Sequence, residues 1–169
     1  MGKFKYFLTF LDDYSRKIFI YYLEAKSDVY KCFVHFITFI QKQNNLHIKT
    51  LKTENGKEYI NKDVKKLLAD NGTHWQFTVP RNPESNRRVE RLNRTFLDKA
   101  RCMLQEAGLG NEFWAEAIAT ASYVANRSPH SSVKMKTPYV LWEGVVPDLS
   151  NIRVFGCKAN AYVAKELRN

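Results

Sequence analysis

Bulky apolar and smaller or polar residues alternate over residues 4–11, and residues 17–23 are rich in Ile, Phe and Tyr, so each stretch predicts a strand. Asp12, Asp13, Tyr14 and Ser15 between them read as a hairpin turn. From Ser27, a good N-cap, apolar residues recur at Val29, Cys32, Phe33, Phe36, Ile37 and Ile40, a helical period that ends near Gln43. A short strand is predicted over 48–53. Val64, Leu67 and Leu68 then give a second helix, stopped by Asn71 and Gly72. Residues 75–79 read as a further strand. A loop marked by Pro80 and Pro83 feeds a long helix carrying Val89, Leu92, Phe96, Ala100, Met103 and Leu104, closed by Gly108 and Gly110. An Ala-rich helix over 112–126 and a turn opened by Thr137 and Pro138 follow, and the tail predicts two small strands, 152–155 and 159–163, around Gly156.

This order is mixed α/β. It resembles a ribonuclease-H-like core, although many α/β domains share it. At 169 residues with 44% hydrophobic and 14% aromatic content, the chain has one sizeable core's worth of apolar side chains, which excludes global disorder. No apolar run approaches the ~20 residues of a membrane span, and the N-terminus lacks a signal-peptide layout, predicting a soluble, intracellular chain with no membrane partner. Cys32, Cys102 and Cys157 are odd in number and far apart, and are expected to be reduced core thiols. The four histidines fall in no zinc-ligand spacing.

Charge changes the picture. Twenty-seven Lys and Arg face 17 Asp and Glu, a formal net charge of +10, which argues for an acidic partner. Seven cations and three carboxylates lie between Pro80 and Arg101, a local net charge of +4. Arg81, Arg87, Arg88, Arg91 and Arg94 are the candidates for DNA phosphate contact; the bland alternative is a solvated helix face. Lys62, Lys65 and Lys66 are a second, weaker candidate. Trp75, Trp114 and Trp142 sit in apolar patterns and are expected to pack rather than to stack on bases.

Two carboxylates stand at suggestive places. Glu54 ends a predicted strand and precedes the Asn55-Gly56 turn; Glu90 falls in the first turns of the long helix. Alone, Glu54 reads equally well as an ordinary surface carboxylate, and Glu90 reads as a solvated helix charge. Together with Phe7 through Arg16, Val89 through Thr95, Phe113 through Ala117, Asn126 through Pro129, Lys136 through Tyr139 and Arg153 through Cys157, they resemble the integrase catalytic core of copia-type retrotransposon Pol polyproteins. The resemblance covers nearly the whole chain. It implies a ribonuclease-H-like mixed sheet with flanking helices and a D,D(35)E triad of carboxylates, holding two Mg²⁺ or Mn²⁺ ions that join element DNA to target DNA. It puts the second and third carboxylates on Glu54 and Glu90, with 35 residues between them. It further implies a homo-oligomer working in the nucleus and in cytoplasmic virus-like particles. Residues 1–128 would form the catalytic core and residues 129–169 its C-terminal extension with the two small strands.

The departures define a second set of expectations. The family's second carboxylate is Asp, and Glu54 pushes its oxygens out by roughly 1.5 Å. Asn86, Arg87 and Arg88 stand where the family has Asn-Gly. The strand bearing the first carboxylate, central in such sheets, precedes the strand over 4–11 and is not found in this sequence. Asp12 and Asp13 match the family's turn and are expected to be structural. The chain therefore reads as an N-terminally truncated, degenerate and inactive integrase core. The alternative is a non-catalytic nucleic-acid-binding remnant, and a hydrolase using Glu54 and Glu90 as acid and base is a distant third.

Overall fold

In the computed structural model, which describes residues 3–53, 62–77 and 87–160, β1 (Tyr6–Leu11) and β2 (Ile18–Leu23) form an antiparallel hairpin, with Tyr6 opposite Leu23 and Leu11 opposite Ile18. The turn closes on Asp12, whose carboxylate accepts hydrogen bonds from the Ser15 backbone N–H at 2.6 Å and the Ser15 hydroxyl at 2.7 Å. Arg16 then takes a left-handed conformation with φ 64°. An aspartate that bonds backbone two or three positions ahead is a local device, which is why this hairpin is legible without tertiary information.

The period of two along the hairpin sends side chains to two different cores. Leu8, Phe10, Phe19, Tyr21 and Leu23 face α1 (Val29–Asn44), whose Phe33, Phe36, Ile37 and Ile40 fill the space beneath. The Phe10 and Phe36 rings stack at 4.1 Å between centroids. On the opposite face, Phe7, Leu11, Ile18, Ile20 and Tyr22 meet α3 (Arg87–Ala107) and α4 (Trp114–Arg127) through Phe96, Ala100, Leu104, Ala117, Ile118 and Ala121. The hairpin is thus the middle layer of three.

The predicted N-cap at Ser27 is corrected. Ser27 lies within a 3-10 turn, Lys26–Asp28, and the Asp28 carboxylate takes the Ala25 N–H at 2.9 Å. Asp28 itself occupies the N-cap position of α1, where its side chain caps no helix N–H and instead reaches back to Ala25. α1 ends at Asn45 in the left-handed region, φ 50°.

β3 (Thr50–Thr53) pairs in parallel with β4 (His74–Phe77), and the crossover that parallel pairing requires is α2 (Lys62–Asp70). Val64 and Leu68 of α2, with the partly buried Leu51 and Trp75, join the core around α1. β1 and β3 belong to different sheets, and among the described residues neither has a second strand partner. The strand predicted over 75–79 is described only to Phe77.

The C-terminal part departs from expectation. α5 (Pro138–Glu143) forms as predicted, with the Thr137 hydroxyl accepting the Val140 N–H at 3.2 Å. Residues 152–160, in contrast, form no strand, and 161–169 lie outside the described residues. The two-strand reading of the extension fails over 152–155 for a physical reason. Gly156 turns at φ 77°, and a Cβ there would lie 2.4 Å from the Ala107 Cβ, so the chain presses against the end of α3. Phe155 packs on the Leu104 and Ile118 cluster while Val154 stays exposed. The cysteine expectation also needs correction: Cys102 and Cys157 are exposed, and Cys32 alone packs on the core, where burial pushes its thiol pKa up. Trp114 and Trp142 pack on the cores as expected, and Trp75 packs on one while its remaining surface lines the groove between α2 and β4.

Candidate active site at the start of helix α3

α3 begins at Arg87, immediately after residues outside the described set, and Glu90 lies in its first turn. The helix is held there by two contacts to the hairpin. Thr9 on β1 donates its hydroxyl to the Asn93 side-chain oxygen at 2.8 Å. Arg88 reaches the Asp13 carboxylate at 2.7 Å, and Arg16 pairs with the same oxygen. Asn93 lies three positions after Glu90, one turn along nearly the same face, so the clamp on β1 fixes the azimuth of the helix where Glu90 projects. Glu90 is exposed and holds no ion pair among the described residues.

Asp13 is the electrostatic centre of this corner. The Arg16 hydrogen bond holds its carboxyl below the usual carboxylate range against the opposing effect of desolvation; the Arg16, Arg88 and Lys52 charges lower it further. Lys52 lies on β3, one residue before the strand's last position, so the hairpin turn, the start of α3 and the end of β3 act on one carboxylate. Asp12 and Asp13 have the structural roles expected of them. Asp12 closes the turn, and Asp13 latches it to the helix.

Glu54 lies outside the described residues, as does Arg81, so of the two predicted carboxylates the structure places Glu90. Of the predicted phosphate contacts, Arg88 is engaged by Asp13, whereas Arg91 and Arg94 are exposed and hold no ion pair among the described residues. No group of three His, Cys, Asp or Glu side chains among the described residues is arranged to hold a metal ion. No helix among them is long and apolar enough to cross a membrane.

The motif residues beyond α3 have structural roles that sequence reasoning did not assign. The buried Asn126 side chain accepts the Ile18 N–H and donates to the Ile18 carbonyl, both at 2.9 Å, and so ties α4 to β2. Arg127 lies between the Tyr123 and Tyr139 rings, at 3.5 and 4.4 Å from their centroids. The largely buried Lys17 sits over Tyr139 and bonds Glu143 at 3.1 Å. A polar residue amid the apolar period of α4 was the available signal for Asn126.

With this geometry in place, comparison with known proteins is informative. Residues 1–83 match the integrase core domain family. The chain is 39% identical over 168 residues to the retrovirus-related Pol polyprotein from transposon TNT 1-94 of Nicotiana tabacum, covering 99% of this chain and 13% of that protein. It superposes on a chain of the simian T-cell lymphotropic virus intasome in complex with the PP2A regulatory subunit B56 gamma with a TM-score of 0.66 at 15% identity, covering 90% of this chain and 58% of that one. The catalytic core domain of BIV integrase gives a TM-score of 0.60 at 18% identity, over 82% of this chain and 85% of that one. The architecture is therefore ribonuclease-H-like, with its strands divided between two small sheets. A hairpin clamped to the start of a long helix, the ordered motifs and these relatives converge: residues 1–83 belong to the integrase core domain family, and nearly the whole chain is similar to copia-type retrotransposon Pol polyproteins.

Proposed function

We propose that this chain serves DNA integration as the core that grips DNA and contributes Glu54 and Glu90 to a polynucleotidyl transferase site, and that by itself it binds DNA without joining it. The observation that carries the reading is the double clamp that holds Glu90 at the start of α3, with Lys52 of β3 acting on the same Asp13 carboxylate that latches the helix. The 35-residue spacing agrees with it. The chain spans 13% of the tobacco Pol polyprotein, so the reaction of the whole protein, its DNA substrates and its assembly into an oligomeric intasome come to this chain by proposal.

Integrase-core proteins generally use divalent metal ions, and carboxylate oxygens are the hard donors that Mg²⁺ and Mn²⁺ take. Glu90 stands without neighbouring ligands among the described residues, and Glu54 carries one carbon more than the family's Asp. Catalytic groups need placement within about 0.5 Å, so the longer side chain works against the site. In this reading the exposed Arg91 and Arg94 neutralise phosphates, and Glu90 serves as one carboxylate ligand.

Among the described residues β1 and β3 each have a single strand partner, which supports a related reading: a carboxylate-bearing strand from a further segment completes both the sheet and the site. The test is a strand-transfer and end-processing assay with Mg²⁺ and Mn²⁺, run beside DNA binding at several salt concentrations. Binding should fall steeply with salt, and Arg91→Ala and Arg94→Ala should each lower the slope of log K against log salt by about 1. Joining of DNA ends should appear only when a carboxylate-bearing strand and Glu54→Asp are supplied together. Robust joining by the unmodified chain would refute the inactivity; salt-insensitive or absent binding would refute the DNA reading.

A further inference from the structure

Away from the α3 corner, one face of α2 and one face of β4 enclose an open groove of about 530 Å³. Lys62, Lys65 and Ala69 recur at helical spacing on α2, and Thr73, Trp75 and Phe77 alternate along the strand, so each element offers a single side to the groove. Its chemistry is divided. The strand supplies an aromatic floor, with the Trp75 and Phe77 rings 4.6 Å apart between centroids and inclined by 37°. Trp75 is fixed by donating its indole N–H to the Thr53 hydroxyl at 2.9 Å, whereas Phe77 is 41% exposed. The helix supplies two ammonium groups one turn apart, both exposed and neither paired with a carboxylate among the described residues.

A stack of side chains with an exposed aromatic surface below and two cations above matches one ligand chemistry closely, a planar base joined to phosphates. Base–aromatic stacking tolerates any sequence because every base has a π face, and lysines track the backbone as point charges. The volume lies within the range of pockets that hold small organic ligands, about 300 to 1,000 Å³. A chain of net charge +10 favours nucleic acid over the alternative, an acidic peptide bearing an aromatic residue. Location adds to this. Phe77 is the register partner of Thr53, the last residue of β3, so the groove opens at the strand end that leads into Glu54.

We propose that this groove is a cradle for an unpaired nucleotide of single-stranded DNA, with its base on Phe77 and Trp75 and its phosphates on Lys62 and Lys65. The inference deepens the DNA-binding reading and rests on it for its biological setting, but it concerns a different surface from Arg91 and Arg94. In function the cradle would hold a strand end that has left the duplex.

The test uses the full chain with two probes, a short oligothymidylate and a blunt mixed-sequence duplex. Oligothymidylate should quench tryptophan emission, and Trp75→Phe should abolish the quench while leaving affinity nearly intact. Phe77→Ala should weaken oligothymidylate binding about tenfold and leave duplex binding unchanged. The double variant Lys62→Glu, Lys65→Glu should do the same at least as strongly; its sites are exposed, so folding is not at stake. Oligothymidylate affinity that is indifferent to Phe77→Ala and to the lysine pair would overturn the proposal. So would an acidic phenylalanine-containing peptide that binds in a Phe77-dependent way where oligothymidylate does not. Loss of duplex binding alone would count against the function proposed above and leave the cradle standing, whereas duplex binding without single-strand binding would do the reverse.

Discussion

The β1–β2 hairpin and the β3–β4 pair are both two-stranded, but they differ in composition and in how they are covered. The hairpin is covered by α1 on one face and by α3 and α4 on the other, and its six-residue strands pair along their whole length. The β3–β4 pair spans four residues, and α2 and the α1-side core cover one face of it. Thr50, Lys52, His74 and Gln76 on the other face are exposed. Burial on two faces fixes register and geometry, and burial on one leaves backbone bonds within reach of water. The half of the molecule that anchors α3 is therefore expected to be rigid, and the half that leads into Glu54 to be the one that depends on further partners.

The largest expected effect tests the rigid half. Phe96 is 1% exposed and fills the space between α3 and the hairpin, so Phe96→Ala should destabilise the chain by about 3 to 5 kcal/mol in denaturant titration. A loss below about 1 kcal/mol would show that α3 is not part of the same cooperative unit. Next is Asn126→Ala, which strands the buried Ile18 N–H and carbonyl at the edge of β2 and should cost about 1 to 3 kcal/mol. Asn126→Asp keeps the acceptor and loses the donor, and should fall in between.

Hydrogen exchange compares the two halves directly. Amides of residues 50–53 and 74–77 should exchange about tenfold faster or more than those of β1 and β2, corresponding to an opening free energy lower by about 1.4 kcal/mol. Equal protection would erase the contrast. The smallest effect is electrostatic. Because the folded-state pKa of Asp13 is lowered, its pairing with Arg16 and Arg88 adds stability that is present at neutral pH and lost as pH falls below about 4, through the folded pKa. Its carboxylate is largely exposed, so Asp13→Asn should cost only about 0.2 to 1 kcal/mol at pH 7 and flatten the acid limb of the stability profile.

What could be read from the chain beforehand follows the range of the interactions involved. The hairpin turn at Asp12, the helix stop at Gly72 and the cap at Thr137 are set by neighbours a few residues away, and their signals sit in the chain itself. The start of α1 at Asp28, one residue past Ser27, is set by the 3-10 turn that precedes the helix rather than by a capping side chain. The strand expected over 152–155 failed because its fate was decided by Ala107, far away in sequence, and the exposure of Cys102 and Cys157 was likewise a tertiary outcome. For the site, Glu90 could be placed by spacing and by its position in the first turn of a helix. The Thr9–Asn93 and Arg88–Asp13 clamps that aim it join positions 84 and 75 residues apart, and no local pattern announces them.

Among the described residues one edge of β1 has no strand partner, and this bears on handling the protein. Tyr6-Phe7-Leu8-Thr9-Phe10-Leu11 is uncharged, rich in aromatic and branched side chains, and free of proline, which is the composition of a segment that templates intermolecular β-stacking. The charges that would discourage this lie outside it, at Lys5 on one side and Asp12 and Asp13 on the other, whereas β3 bears Lys52 within the strand. Solubility at high concentration therefore hinges on β1 far more than on β3. A single lysine at Thr9 would protect that edge from stacking, at the cost of the bond that seats α3.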